Sequence, residues 1–211
     1  MPQPDPRPDT PAPADDRARI VLLAGPSGAG KSRLAGRLRA RHGWPIVNLD
    51  DFYKDADAPD LPRQAALGIP DWDHPDSWDG AVAAAALARL VDTGTSTVPV
   101  YDISRSARVG AAEATARPDD LIVAEGVFAA ELAGPLRRDG LLHSAWCVRN
   151  RPALTFVRRL ARDLRERRKP PLVLLRRGWA LMRAEPEVVA RAEARGATPA
   201  TAKQVETRMS R

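Results

Sequence analysis

The sequence predicts an α/β chain built in three layers, a mostly parallel sheet of about five strands flanked by helices, and three observations carry that reading. Short apolar runs alternate with longer amphipathic stretches from Ile20 onward, the pattern of successive βα units. A glycine-rich turn separates the first run from the first helical pattern, a junction where such sheets hold anions. Acidic residues stand directly after two further runs, at the strand ends where open α/β sheets bind ligands.

Each element has its own warrant. Ile20 to Ala24, Ile46 to Leu49 and Leu121 to Ala124 are rich in branched residues, which suit strands covered on both faces. Ala145 to Val148 is a fourth apolar run, and Val98 to Tyr101 reads as a further short strand. Helical patterns cover Lys31 to Arg41, Gly80 to Asp92 and Pro152 to Arg168, the last opening on a proline suited to a first helical turn. Asp50 to Asp79 is rich in proline, aspartate and aromatic residues. Connections of that length in compact domains usually carry function.

With 211 residues and 44% hydrophobic content, the chain can bury one sizeable core, so one domain is expected. The first 17 residues hold six prolines and no apolar periodicity, a composition expected to stay disordered. One cysteine, Cys147, allows no intrachain disulfide, which suits a reducing compartment. No run approaches the roughly 20 apolar residues of a membrane helix, and the start lacks a signal-peptide layout. A cytoplasmic protein without membrane partners is the expectation. The net charge of +6 invites a nucleic-acid reading. Yet 12 of the 33 basic residues cluster between Arg149 and Arg183, beside only Phe156 and Trp179 as aromatics, so base-stacking platforms are scarce and nucleic acid is not expected as the main partner.

Gly25-Pro26-Ser27-Gly28-Ala29-Gly30-Lys31-Ser32 satisfies the G-x-x-x-x-G-K-[ST] pattern in full, between a strand and a helix as the chemistry requires. Glycines let main-chain N–H groups approach the phosphates, Lys31 reaches the β and γ phosphates, and Ser32 is a Mg²⁺ ligand. The fold class is therefore the P-loop NTPase fold, with ATP and Mg²⁺ as cofactors. Asp50 and Glu125 follow their apolar runs at the same sheet edge. Mg²⁺ keeps several waters and takes one or two carboxylates, a role for Glu125 with Ser32. Asp50 can accept the proton of an attacking hydroxyl and also lies within reach of the metal. Asp51 should point to the other side of an extended chain.

In the third helical pattern Leu154, Val157, Leu160, Ala161 and Leu164 form one stripe, opposite Arg159, Arg162 and Glu166. Arg159, Arg162, Arg167 and Lys169 could close as a lid over the transferring phosphoryl group, since guanidinium groups stabilise its charge; a solvated basic face fits the same periodicity.

Together these motifs resemble the uridine kinase branch of the P-loop kinases, within the phosphoribulokinase/uridine kinase family. Asp50-Asp51-Phe52-Tyr53 is similar to that family's Asp-Ser-Phe-Tyr, and Asp71-Trp72-Asp73-His74-Pro75-Asp76-Ser77-Trp78-Asp79 to its Asn-Phe-Asp-His-Pro-Asp-Ala-Phe-Asp. Pro99-Val100-Tyr101-Asp102 matches Pro-x-Tyr-Asp, Glu125-Gly126 matches Glu-Gly, and Arg158 to Arg167 resembles the family's lid. The resemblance implies that Asp50 is the catalytic base, that Asp73 holds ribose hydroxyls, that Trp72 and Tyr101 flank the base with Tyr53 beside them, and that Glu125 contacts Mg²⁺. It implies that Arg159 and Arg162 touch substrate and nucleotide and that Arg167 serves the nucleotide.

The implied activity is ATP-dependent phosphorylation of a small alcohol, foremost the 5′-hydroxyl of uridine or cytidine. Ser106 departs from the pattern, standing where pyrimidine-reading members carry a histidine. That departure admits another alcohol of the pantothenate or sugar-phosphate type. A nucleotide-dependent RNA-associated protein is a further alternative. The resulting organisation is a tail at 1–17, a kinase domain at 18–195 with an acceptor-binding insertion at 50–110 and a lid at 158–172, and a C-terminal tail at 196–211. A homo-oligomer stays open.

Overall fold

The computed structural model describes residues 17–65, 67–150 and 186–210. The main sheet has five strands in the order β2-β5-β1-β6-β7, and every neighbouring pair runs parallel. They are β1 (Arg19–Ala24), β2 (Ile46–Asn48), β5 (Leu121–Glu125), β6 (Leu142–Val148) and β7 (Thr198–Ala200). β3 (Thr95–Asp102) and β4 (Ala107–Thr115) form a separate antiparallel pair. The described α-helices are α1 (Lys31–His42), α2 (Gly80–Thr93), α3 (Ala133–Arg138), a stretch at 186–194, and α4 (Ala202–Met209).

Side chains alternate across a strand, and here each set finds its own layer. Ile20, Leu22, Ile122 and Ala124 join Leu87 and Leu90 of α2 and Leu136 of α3 in one buried cluster. Val21, Leu23, Val123 and Val148 join Leu34 and Leu38 of α1 and Val205 of α4 in the other. Both faces of β1 are thus sealed, which explains its uninterrupted apolar run. Helix ends follow familiar chemistry. Asp79 caps α2 by accepting from Val82 N, and Thr201 with Gln204 forms a capping box on α4.

The four apolar runs expected as strands all enter the main sheet. Val98 to Tyr101 is a strand as expected, within β3, whose partner β4 follows through the short turn at 103–106 and closes a local hairpin apart from the main sheet. One expectation needs correction. The fifth main-sheet strand is β7, from the segment expected to be a tail. Thr198–Ala200 pairs with Trp146–Val148, and α4 buries Val205 while Arg37 of α1 ion-pairs with Glu206 at 3.1 Å. Three residues are too few to show an apolar period, so only pairing with β6 reveals them. The proline-rich segment, apart from Arg17, lies outside the described residues, as do the Pro152 to Arg168 helix and the 158–172 lid.

Candidate active site

The glycine-rich turn follows β1 directly, and its backbone explains its composition. Gly25 has φ +128°, and a Cβ there would stand 2.3 Å from the Val148 carbonyl oxygen. No other residue can pass β6 so closely. Gly28 (φ 84°) and Gly30 (φ 99°) also take left-handed values, and Gly30 opens α1. The turn is braced from outside, since Asn150 donates its side-chain amide to the Ala29 carbonyl at 3.0 Å. Lys31 is buried, with 6% exposure, and its ammonium donates to the Gly25 and Pro26 carbonyls at 2.8 and 3.3 Å. The first turn of α1 carries no acidic residue. Its free N–H groups and positive dipole end therefore face the turn uncompensated.

Beside this turn the carboxyl ends of β2 and β5 converge. Asp50 lies in a single 3₁₀ turn, Leu49–Phe52, capped by Asn48, whose side-chain oxygen accepts from Asp50 N at 3.2 Å. Its carboxylate accepts from Val127 N at 2.9 Å, fastening the end of β2 to the loop after β5. That approach requires Gly126. A Cβ at that position would lie 2.9 Å from the Asp50 carboxylate and 2.8 Å from Leu49 Cβ. Glu125 is 6% exposed. Burial pushes its carboxyl above the ordinary glutamate range, the Ser32 hydroxyl and the Lys31 ammonium pull it back, and Asp50 and Asp51 push it further up. Lys31, Ser32, Asp50 and Glu125 therefore share one electrostatic neighbourhood.

Asp51 does not point away as an extended chain would have it. The 3₁₀ turn keeps it with its neighbour, where it accepts from Tyr101 N at 3.3 Å and from the Asn48 amide at 2.9 Å. Burial raises its carboxyl, those two bonds lower it, and Asp50 raises it again. Sequence reasoning set this residue aside on the expectation of an extended chain. The signal was Asn48 two positions before Asp50, an N-cap arrangement that favours a turn over a continued strand.

The second wall comes from residues 53–106. Tyr53 bridges to Trp78, and its ring lies 5.9 Å from Trp72, 6.1 Å from Tyr101 and 6.0 Å from Phe128. Burial pushes its phenol well up, and the carboxylates of Asp50 and Asp73 add to the rise, so both acids lie near that hydroxyl. Asp73 is exposed and its N–H is held by Asp71 at 3.3 Å. Tyr101 donates to the Lys54 carbonyl at 3.2 Å, and burial pushes its phenol up to about 12. Ser106 has φ 50°. Its carbonyl accepts from Ala56 N at 2.9 Å and its hydroxyl turns to the Ile103 carbonyl at 3.5 Å.

Trp78, which sequence reading quoted only within a motif, is structural here. Its buried indole N–H donates to the Leu49 carbonyl at 2.6 Å, one residue before Asp50. Arg159, Arg162, Arg167 and Lys169 lie outside the described residues, so the lid is not among the residues brought together.

Among the described residues no group of three or more His, Cys, Asp or Glu could cage a metal. Paired oxygen donors at Ser32 and Glu125, beside a main-chain anion cradle, instead fit a hard cation that shares its coordination with phosphate and water. No helix among the described residues is long and apolar enough to cross a membrane.

Comparison with known proteins agrees with this geometry. The model of the Phosphoribulokinase / Uridine kinase family matches residues 20–170. The chain is 30% identical over 158 residues to a uridine kinase from Deinococcus deserti, covering 74% of this chain and 73% of that protein. It is 30% identical over 154 residues to a uridine kinase from Macrococcus caseolyticus, covering 72% and 71%. A solved structure from Silicibacter sp. TM1040, assigned as a fructose transport system kinase, shares the fold with a TM-score of 0.63 at 21% identity over 90% of each chain. The strand-to-glycine-loop junction, the two carboxylates at its side and the match across most of the chain lead to one conclusion: this chain belongs to the phosphoribulokinase/uridine kinase family.

Proposed function

We propose that the chain is an ATP- and Mg²⁺-dependent kinase that transfers the γ-phosphate to a hydroxyl of a small metabolite, most directly the 5′-hydroxyl of uridine or cytidine. The observation that carries it is the convergence of the Gly25–Ser32 turn with Asp50 and Glu125 at the carboxyl edge of β1, β2 and β5, where one electrostatic neighbourhood joins Lys31, Ser32 and both acids.

In this reading the main-chain N–H groups from Ser27 to Ser32 hold the triphosphate, and Lys31 leaves the loop carbonyls for the β and γ oxygens. Ser32 and Glu125, with Asp50 in reach, would hold Mg²⁺; bound there, the ion neutralises charge on the phosphates. Asp50 accepts the proton of the incoming hydroxyl, and its bond from Val127 N keeps one oxygen fixed so that the other is aimed. Asp73, Tyr53, Trp72 and Tyr101 hold and flank the acceptor. Arg159, Arg162 and Arg167 supply guanidinium charge for the transferred group.

One observation favours a second acceptor class. The Ser106 hydroxyl is engaged by the Ile103 carbonyl at 3.5 Å and by the Tyr101 phenol, so this short side chain offers little to a base edge. An alcohol of the pantothenate or sugar-phosphate type is therefore the alternative. Transfer of labelled γ-phosphate from ATP to uridine, cytidine and a panel of such alcohols decides between them. Product with a pyrimidine nucleoside supports the first reading; product only with another alcohol moves the function to that acceptor; no transfer to any hydroxyl removes the kinase reading.

A further inference from the structure

The β3–β4 hairpin reaches the catalytic turn through one guanidinium. In the hairpin register Val100 faces Gly110 while Tyr101 faces Arg108, with a shift between them. Val109 is thus the extra residue of a bulge, and bulges re-aim the side chains beside them. The shift places Arg108 on the same face as Tyr101. Its Nε donates to the Tyr53 carbonyl at 3.2 Å and its Nη2 to the Phe52 carbonyl at 3.5 Å. The same Nη2 lies 3.7 Å from the carboxylate of Asp79. Its main-chain N–H donates to Asp55 at 2.7 Å. The Phe52 carbonyl also accepts from Asp79 N at 2.9 Å.

One side chain therefore links the hairpin, the 3₁₀ turn that carries Asp50, the chain that carries Tyr53, and the cap of α2. We infer that Arg108 is a positioning residue that sets Asp50 and Tyr53 against Tyr101, the two sides of the acceptor site. The inference rests on the reading of Asp50 as the group that serves the acceptor hydroxyl. A planar fork with donors on separate nitrogens holds two successive carbonyls and a carboxylate in one fixed geometry, whereas an ammonium is a compact point charge on a flexible stem. Arg108 adds a second donor to the Phe52 carbonyl, beside Asp79 N, and a donor to the Tyr53 carbonyl, so the end of the turn loosens if the guanidinium goes. Small misplacements of a reacting group cost about a hundredfold in rate at 1 Å.

The test compares the full chain with Arg108→Ala and Arg108→Lys, using ATP and the best acceptor from the panel above. Arg108→Ala should lower kcat by about tenfold or more with KM for ATP within about twofold, and should raise the ADP released per phosphorylated acceptor. A residue serving only the fold would lower thermal stability without changing that ratio. Amide exchange supplies a readout independent of activity: residues 49–56 should exchange faster in Arg108→Ala, while 19–34 keep their protection. Wild-type turnover in Arg108→Lys, an unchanged ratio, or unchanged exchange at 49–56 overturns the inference. If the wild-type chain phosphorylates nothing, the kinase reading falls separately, and exchange at 49–56 still decides whether Arg108 holds the turn.

Discussion

The two halves of the site are built in different ways. On what the proposed function makes the donor side, the groups offered are main-chain atoms, and the residues around them are glycines that fit by what they lack: Gly25 to clear the Val148 carbonyl, Gly28 and Gly30 to turn. On the acceptor side the working groups are side chains from positions 50 to 108, tied together by long-range bonds such as Asp51 to Tyr101 N and Arg108 to Tyr53 O. A cradle of main chain tolerates almost no substitution and changes little in specificity. A wall of side chains can be retuned one residue at a time. Under the proposed function, the contrast lets phosphate binding and acceptor choice vary separately within one sheet edge.

The sharpest way to break the donor half is Gly25→Ala. Left-handed strain of about 1–3 kcal/mol adds to a Cβ placed 2.3 Å from a carbonyl oxygen. Nucleotide binding measured by calorimetry should be abolished and the melting temperature lowered. Retained Mg-ATP affinity would mean that the cradle is not held by this close approach.

Asp50→Asn addresses the acceptor half. It should leave ATP binding nearly intact and cut turnover by about a hundredfold or more, the weight of a base plus positioning. Lys31→Ala should instead weaken nucleotide binding and turnover together. Turnover of Asp50→Asn within about threefold of wild type would withdraw the base role.

Glu125 sits between the halves and predicts a pH effect of intermediate size. Its carboxyl is raised in the folded state, chiefly by burial. Such a group favours the fold below its unfolded pKa and loses that contribution as pH rises through the raised value. Glu125→Gln should therefore be more stable than wild type at neutral pH. The advantage should shrink as pH falls toward the ordinary glutamate range, about 4.3. Melting curves between those limits check it, and an advantage independent of pH would show that burial of charge is not its source.

The smallest effect is Trp78→Phe, which removes the indole donor to the Leu49 carbonyl at the start of the turn that carries Asp50. A loss of about 1–2 kcal/mol is expected. In a chain of this size each kcal/mol is read as about 2–4 °C in melting temperature.

By itself the sequence determined the elements whose cause is local. The strands β1, β2, β5 and β6 and the helices α1 and α2 were legible because apolar runs, a glycine turn, an aspartate cap and left-handed stops after His42 and Thr93 act within a few residues. The phosphate loop was legible for the same reason, since its glycines answer to their own backbone angles. Tertiary structure alone decided the rest. β7 is three residues long and exists only against β6. Asp51 became part of the site through Tyr101, fifty positions away. Gly126 owes its identity to the Asp50 carboxylate across the sheet edge, and Arg108 owes its aim to a bulge in a hairpin register. Such contacts join residues far apart in the chain, and their free energy appears only after the loops between them have closed. A linear pattern records the groups available for those contacts, while packing selects which of them meet.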